Sequence, residues 1–131
     1  MKPKILVVSA NYYRDISTRL ESAAETAITK IGIKFKKIVV AGVFEIPVVI
    51  AKNINKYDGF VALGCVIKGE TPHFDYISKT TINAIMNLSV DHKKPIGNGI
   101  ITCLNRDQAT ERSDDGDRKN LSKINKGEEA A

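Results

Sequence analysis

The sequence predicts an α/β protein, a three-layer α/β/α sandwich built around a four-stranded parallel sheet. Short apolar runs rich in β-branched residues alternate with longer segments of helical period, and this β–α unit occurs four times. Consecutive β–α units form parallel sheets with right-handed crossovers, so helices cover both faces. A length of 131 residues suits one such domain, and no linker-like segment divides the chain. We therefore expect a single domain over residues 1–131.

The first unit begins with an apolar run at Lys4–Ser9, which predicts a short buried strand, followed by a loop over residues 11–15. A helix is expected next, because apolar side chains recur there at helical spacing. These side chains are Leu20, Ala23, Ala24, Ala27, Ile28 and Ile31. Thr18 with Glu21 three residues later has the pattern of a capping box at the start of this helix, and Gly32 is placed to end it.

The second unit combines a strand over Phe35–Val40 with a helix that runs to about Asn55. Pro47 is expected to open this helix, because proline is tolerated in the first helical turn. The connection carries an aromatic ring, Phe44, next to a carboxylate, Glu45. By themselves these could be a core residue and an ordinary helix-start charge.

The third unit predicts a strand over Phe60–Ile67 that is covered on both faces, since it is almost continuously apolar. Gly69 permits a tight turn after it. Thr71 is then a suitable N-cap and Pro72 falls at the first helical position, which places His73 in the first turn. A helix N-terminus favours anions, because free N–H groups and the positive end of the dipole lie there. Taken by itself, this pattern also fits a capped helix with an incidental histidine.

The fourth unit begins after the third helix ends at His92–Pro95. A strand is predicted over Gly99–Leu104 and a short helix over Asp107–Arg112. The composition then becomes polar and loses any clear period, so residues 114–124 are expected to form a polar loop. Residues 127–131 resemble the start of a further helix that the end of the chain truncates.

The composition disfavours several classes of function. The net charge of +5 is modest and the basic residues are scattered, which describes a solvated surface better than a nucleic-acid interface. No apolar run reaches membrane-spanning length, and the N-terminus enters a strand instead of a signal peptide. Cys65 and Cys103 lie in apolar strand-like runs and are expected to be buried free thiols. We expect a cytoplasmic protein that binds small molecules, with neither nucleic acid nor membrane as a partner.

Several chemically active side chains follow the predicted strands. Tyr12 comes after the first strand, Phe44 and Glu45 after the second, and His73 after the third. In open α/β sheets, ligands bind at the carboxyl ends of the strands, which meet at one edge. The sequence therefore predicts a small-molecule site there that combines aromatic rings, a carboxylate, an anion-binding turn and a titratable imidazole.

Two motifs extend this interpretation to a family. Val43-Phe-Glu-Ile-Pro47 and Gly64-Cys-Val-Ile-Lys-Gly-Glu-Thr-Pro-His-Phe-Asp-Tyr76 resemble the signature motifs of the lumazine synthase family. Pro95–Ile101 and Asp107–Arg112 resemble its later motifs, so the resemblance covers nearly the whole chain in order. It implies a flavodoxin-like fold and no metal or redox cofactor. It also implies a homo-oligomer, a pentamer or an assembly of pentamers, with active sites between subunits.

The activity that the resemblance implies is a transferase step of riboflavin biosynthesis. In it, 5-amino-6-(D-ribitylamino)uracil condenses with 3,4-dihydroxy-2-butanone 4-phosphate, and 6,7-dimethyl-8-ribityllumazine, phosphate and water are the products. The resemblance makes His73 the catalytic residue, for proton transfer. The substrate-binding residues that it implies are Tyr12, Val43, Phe44, Glu45, Cys65, Val66, Ile67, Glu70, Thr71, Asn98, Arg112 and Lys126.

The resemblance also implies how these residues act. Tyr12 stands where the family stacks an aromatic ring on the pyrimidine, and Glu45 accepts hydrogen bonds from ribityl hydroxyls. Glu70 and Thr71 offer N–H groups to the phosphate. Arg112 is the phosphate-binding arginine that the adjacent subunit contributes. Asn125-Lys-Gly127 looks like a later motif of the family, which would make Lys126 a second cation near the phosphate.

The chain departs from the family pattern at several positions. Asn98 stands where the family commonly has Phe, and Asn11-Tyr-Tyr13 replaces the usual Arg-Phe-Asn. The polar segment before Lys126 is longer than the family's loop, and the family continues into a last helix where this chain ends.

Two other functions fit parts of the pattern. A non-catalytic flavin- or pteridine-binding member of the same fold is one, but the joint presence of Glu45, His73 and Arg112 favours the enzyme. A flavodoxin-like electron carrier is the other. It would need a hydroxyl-rich phosphate loop after the first strand, and Ser9–Arg14 is not such a loop.

Overall fold

The computed structural model describes residues 3–69, 72–113 and 130, and it confirms the three-layer α/β/α architecture. The strands are β1 (Lys4–Ala10), β2 (Lys34–Val40), β3 (Gly59–Ile67) and β4 (Ile96–Cys103). The helices are α1 (Arg14–Lys30), α2 (Ile46–Asn53), α3 (His73–His92) and α4 (Arg106–Ser113), with a 3₁₀ turn at Val43–Glu45 before α2.

All strand pairs are parallel, and the strand order is β2-β1-β3-β4. The central strands β1 and β3 are almost fully buried, whereas the edge strand β2 is largely exposed. The chain moves outward from β1 to β2 and then crosses to β3 on the other side. The order of strands therefore reverses between β1 and β3, which is where ligands of open α/β sheets bind.

Each face of the sheet has its own apolar core, because side chains alternate between the faces along a strand. One core lies under α2 and α3 and includes Leu6, Val8, Ile46, Ile50, Phe60, Ala62, Ile85 and Ile100. The other lies under α1 and α4 and includes Val7, Ile16, Leu20, Ala24, Ile28, Leu63, Cys65, Ile101, Cys103 and Ala109. Among the described residues, no helix has both the length and the apolar character needed to cross a membrane.

The start of α1 differs from the prediction, and the cause is tertiary. The helix begins at Arg14, so Thr18 lies inside it and is not its cap. Glu21 instead binds two other elements: Ser9 Oγ donates to its Oε2 at 2.7 Å, and Lys37 Nζ lies 2.8 Å from its Oε1. The hydrogen bond to Glu21 raises the pKa of Lys37. Glu21 therefore satisfies the hydroxyl of Ser9, which is fully buried on the central strand.

Two other predicted helix boundaries agree with the structure, and the start of α3 differs from its prediction by one residue. Pro47 does lie in the first turn of α2, and Gly32 ends α1 with a φ of 75°. α3 begins at His73 with Pro72 as its cap residue, one position later than predicted. Thr71, the predicted cap, lies outside the described residues. Gly69 has no positive φ and open space around its Cβ position, so the turn after β3 does not require glycine there.

The fourth strand starts three residues earlier than predicted, at Ile96. Asn98 consequently lies inside β4, where it pairs with Ala62, and its Oδ1 accepts a hydrogen bond from the Ile100 N–H at 3.0 Å. The predicted polar loop over 114–124 lies outside the described residues.

Ala130 is helical and packs on the α1/α4 side of the sheet, against β4. Two glycines of β4 make room for it. A Cβ atom at Gly97 would collide with the Ala130 carbonyl, and one at Gly99 would lie 3.1 Å from Ala130 Cβ and 2.6 Å from Leu63 Cδ2. The glycines therefore allow the end of the chain to approach the backbone of β4 closely.

We expect Gly99→Ala to destabilise the fold, because the added methyl group meets Leu63 and the Ala62 carbonyl as well as Ala130. Overpacking of this kind costs about 1–3 kcal/mol of unfolding free energy. Urea unfolding followed by circular dichroism measures it. Gly69→Ala is the matched control, since nothing lies within 4 Å of a Cβ there. Equal unfolding free energies for the two variants would show that the space around the Cβ position of Gly99 is not tightly packed.

Candidate active site

A cavity of about 430 Å³ opens at the carboxyl edge of the sheet, between the ends of β1 and β3. It is lined by Tyr12, Tyr13, Gly42, Val43, Phe44, Glu45, Cys65, Val66, Ile67, His73 and Ile77. The structure thus brings together the predicted site residues that follow the first three strands. They meet at the reversal of strand order, as the parallel sheet requires.

The 3₁₀ turn after β2 rests directly on β3. Val43 is buried at 6% exposure, and a Cβ atom at Gly64 would lie only 2.6 Å from Val43 Cγ1. The absence of a side chain at residue 64 therefore lets the turn approach β3. Phe44, 60% exposed, and Glu45 follow on the same turn, with the Glu45 Oε2 atom folded back over Gly42. An aromatic face and a carboxylate are held at the mouth of the cavity in this way.

The opposite wall consists of two tyrosines that follow β1. Their ring centroids are 4.9 Å apart, with an interplanar angle of 75°, an edge-to-face arrangement. Tyr12 is 75% exposed at the rim, whereas Tyr13 is half-buried and packs against the α1/α4 core. Tyr12 was predicted as a site residue, but Tyr13 was not.

The end of β3 forms the floor of the cavity, with Cys65 buried and Val66 and Ile67 half-buried. Cys65 and Cys103 are free thiols and both are buried, as predicted. Burial raises the pKa of the Cys65 thiol to about 12, and burial also raises the pKa of Cys103. A thiol that stays protonated is a poor nucleophile, so Cys65 contributes an apolar surface and backbone groups.

His73 is the first residue of α3 and lies at the mouth of the cavity with Ile77 one turn later. The 20-residue helix directs the positive end of its dipole to this edge, which favours a bound anion. Ile77 was missed, although its spacing of four residues from His73 predicts the same helix face. Glu70, Thr71 and Lys126, three predicted substrate contacts, lie outside the described residues.

Two predicted site residues do not line the cavity. Arg112 is exposed on α4, and its Nη1 donates to the Thr102 carbonyl at 3.2 Å. Asn98 is exposed on β4, and the strand end at Cys103 lies about 16 Å further along the strand. Within one subunit, neither Arg112 nor Asn98 is therefore among the residues that line the cavity with His73.

Metal ligands do not cluster in the part of the chain that the structure describes. No three His, Cys, Asp or Glu side chains there are close enough to hold an ion together. The functional groups at this edge of the sheet are an imidazole, a carboxylate, aromatic rings and a helix N-terminus. Such a set can bind a planar ring and an anionic group and can transfer protons.

Comparisons with known proteins give one family. The sequence model described as 6,7-dimethyl-8-ribityllumazine synthase matches residues 2–131. A protein of that name from Bartonella tribocorum is 43% identical over 120 residues, which cover 89% of this chain and 80% of that protein. The protein of the same name from Bartonella bacilliformis is 40% identical over an alignment that covers 100% of this chain and 85% of that protein. The protein of the same name from Agrobacterium fabrum is 43% identical over 118 residues, which cover 85% of this chain and 80% of that protein.

We expect Cys65 to resist alkylation in the folded protein. With a pKa of about 12, its thiolate fraction near pH 8 is about 10³-fold below that of an ordinary thiol. The thiolate fraction rises tenfold with each pH unit, so labelling by iodoacetamide should accelerate steadily above pH 8. The Cys103→Ser variant isolates Cys65, and the same variant in concentrated urea gives the unprotected rate. Labelling of the folded variant at that unprotected rate would contradict a buried, protonated thiol.

Proposed function

Because the chain belongs to the 6,7-dimethyl-8-ribityllumazine synthase family, we propose that the cavity between β1 and β3 is its active site. The reaction condenses 5-amino-6-(D-ribitylamino)uracil with 3,4-dihydroxy-2-butanone 4-phosphate and yields 6,7-dimethyl-8-ribityllumazine, phosphate and water. One observation carries the proposal: His73, Glu45 and the aromatic rings line a single cavity at the reversal of strand order.

The pyrimidine binds between the aromatic rings and the floor. Tyr12 and Phe44 both line the cavity and are both exposed, so each can cover a planar ring without first leaving a core. The backbone at the end of β3 supplies hydrogen-bonding groups to the ring edge. Glu45 accepts hydrogen bonds from ribityl hydroxyls at the rim. Both substrates are thereby held together, and positioning of this kind supplies a large part of the rate.

His73 moves protons during the reaction. The aryl amine attacks the ketone and an imine forms with loss of water, phosphate leaves by elimination, and the ring closes with loss of a second water. Each of these steps transfers a proton, which the imidazole of His73 can give or take as a general acid or base. The phosphate group binds at the start of α3, where the helix dipole stabilises its charge, and we propose that Glu70 and Thr71 also contribute N–H groups to it.

The site is completed by a neighbouring subunit. Arg112 does not line the cavity of its own chain, and its Nη1 donates instead to the Thr102 carbonyl. Asn98, on an edge strand and about 16 Å from the strand end, does not line that cavity either, and an edge strand is open to a second copy. We propose that the chain forms pentamers, or assemblies of pentamers, in which Arg112, Lys126 and Asn98 face the cavity of the adjacent subunit.

The remaining partners follow from the same chemistry. We propose that the protein acts on small-molecule substrates in the cytoplasm, as a single domain over residues 1–131 and without a bound metal or redox cofactor. The two buried free cysteines suit a reducing compartment. The relatives named above all carry the name of the enzyme, so the non-catalytic binder gains no support from them.

We expect His73→Ala to fold and to bind phosphate but to lower kcat by about 10²- to 10⁴-fold, the usual contribution of a general acid–base group. Lumazine formation from both substrates at saturation measures kcat. His92→Ala is the matched control, since His92 ends the same helix at the far end from the cavity. An unchanged kcat in His73→Ala would remove this imidazole from the mechanism.

A mixed assembly tests whether one site uses two subunits. His73→Ala and Arg112→Ala should each be severely impaired alone, the latter because a charge-assisted contact to phosphate is worth about 1.5–3 kcal/mol. When the two variants are co-expressed, an Arg112→Ala subunit supplies His73 and its neighbour supplies Arg112. We expect the mixed assemblies to be more active than either variant alone.

The control is a mixture of the two variants purified separately and kept from exchanging subunits. That mixture should show only the average of the two weak activities. If assemblies verified as mixed show the same average, Arg112 acts within its own subunit or does not contact the phosphate.

A further inference from the structure

Tyr13 lines the cavity beside Cys65, yet the family resemblance gives it no role. It is the last residue before α1, and its carbonyl accepts the Ser17 N–H at 2.9 Å, so the helix fixes its backbone. The side chain is half-buried and packs against the core under α1. The Tyr13 hydroxyl lies close enough to the Cys65 thiol for the two groups to interact electrostatically, and both residues line the cavity.

An ion pair clamps the Tyr13 ring from the side of α4. The Arg106 guanidinium lies over the ring, with Cζ 5.6 Å from the ring centroid. Arg106 Nη2 is 2.5 Å from Asp15 Oδ2, in the first turn of α1. The hydrogen bond from Arg106 also lowers the pKa of Asp15, so the carboxylate stays charged. Asp15, Arg106 and Tyr13 thus join the loop after β1 to the start of α4.

The clamp also reaches Tyr12, because the two tyrosine rings meet edge to face at 4.9 Å. A side chain fixed before the ligand arrives loses less rotamer freedom on binding. The Tyr13 ring is therefore preorganised by contacts that do not touch the ligand, and Tyr12 lies against that ring.

The hydroxyl of Tyr13 suits the edge of a uracil ring. Burial raises the pKa of Tyr13, Cys65 and Tyr12 raise it further, and Arg106 partly offsets this. The phenol consequently remains a neutral donor and acceptor over the working pH range. A uracil edge carries alternating carbonyl and N–H groups, and one hydroxyl can pair with either kind.

We propose that Tyr13 determines specificity for the ribitylaminouracil through a hydrogen bond from its hydroxyl, and that Arg106 and Asp15 are positioning residues that hold its ring. This inference rests on the proposed function, because it assigns a residue of that site to one of the two substrates. The inference predicts no change in the binding of the butanone phosphate.

The test compares the KM values of the two substrates. We expect Tyr13→Phe to raise KM for the ribitylaminouracil about 3- to 10-fold, the range for loss of one neutral hydrogen bond, and to leave KM for the butanone phosphate unchanged. Tyr57→Phe is the control, since Tyr57 precedes β3 at the opposite edge of the sheet. Arg106→Gln should raise the same KM about 2- to 5-fold, and Arg106→Lys should recover most of the loss.

A double variant separates positioning from mere stability. If Arg106 acts only through the Tyr13 ring, Arg106→Gln should have no further effect on KM in a Tyr13→Ala background. Additive effects, or equal rises in both KM values, would overturn the positioning role. Should the Tyr13 variants fail to fold, Arg106→Gln in the otherwise unchanged chain still tests the positioning role, and an unchanged KM for the ribitylaminouracil would overturn it.

Direct binding distinguishes failure of this inference from failure of the proposed function. The lumazine product, titrated by its own fluorescence, should bind Tyr13→Phe more weakly than the unchanged chain. An active chain whose Tyr13→Phe variant keeps its KM and lumazine affinity overturns the inference alone. A chain without turnover that binds lumazine, and binds it less tightly after Tyr13→Phe, overturns the proposed function and supports the inference.

Discussion

The contact between Val43 and Gly64 is the constraint on which the site depends. Val43 Cγ1 would lie 2.6 Å from a Cβ atom at residue 64, so the 3₁₀ turn can rest on β3 only because that residue is glycine. This 3₁₀ turn positions Phe44 and Glu45 in the lining of the cavity, and helix α2 begins directly after the turn, at Ile46. The cavity is the space left between this turn, the tyrosines after β1 and the start of α3.

Much of this could be predicted from the sequence, because the fold and the motifs depend on local patterns. Buried parallel strands give continuous apolar runs, and the helices between them show their period, so the order of elements followed directly. Pro47 marked the start of α2 and Gly32 marked the end of α1, because the backbone conformations that these two residue types favour do not depend on tertiary contacts. The edge on which Tyr12, Glu45 and His73 meet followed from parallel pairing alone.

The rest depended on tertiary contacts that no local pattern encodes. Glu21 resembled part of a capping box, but Ser9 and Lys37 are its partners from two neighbouring strands. The fourth strand starts at Ile96, three residues before the predicted start, and its two glycines leave room for Ala130. Tyr13 was not predicted as a cavity residue, because its contacts with Cys65 and Arg106 join positions that are distant in sequence.

A crystal structure of the protein with bound 6,7-dimethyl-8-ribityllumazine tests the central claim most directly. The ring system should lie between Phe44 and Tyr12, over the end of β3, with the ribityl chain beside Glu45. Its methyl-bearing side should face His73, and Arg112 of another subunit should approach the same cavity. A ring bound elsewhere, such as the shallow hollow beside Ser22 and Phe35 on α1 and β2, would contradict the assignment of the active site.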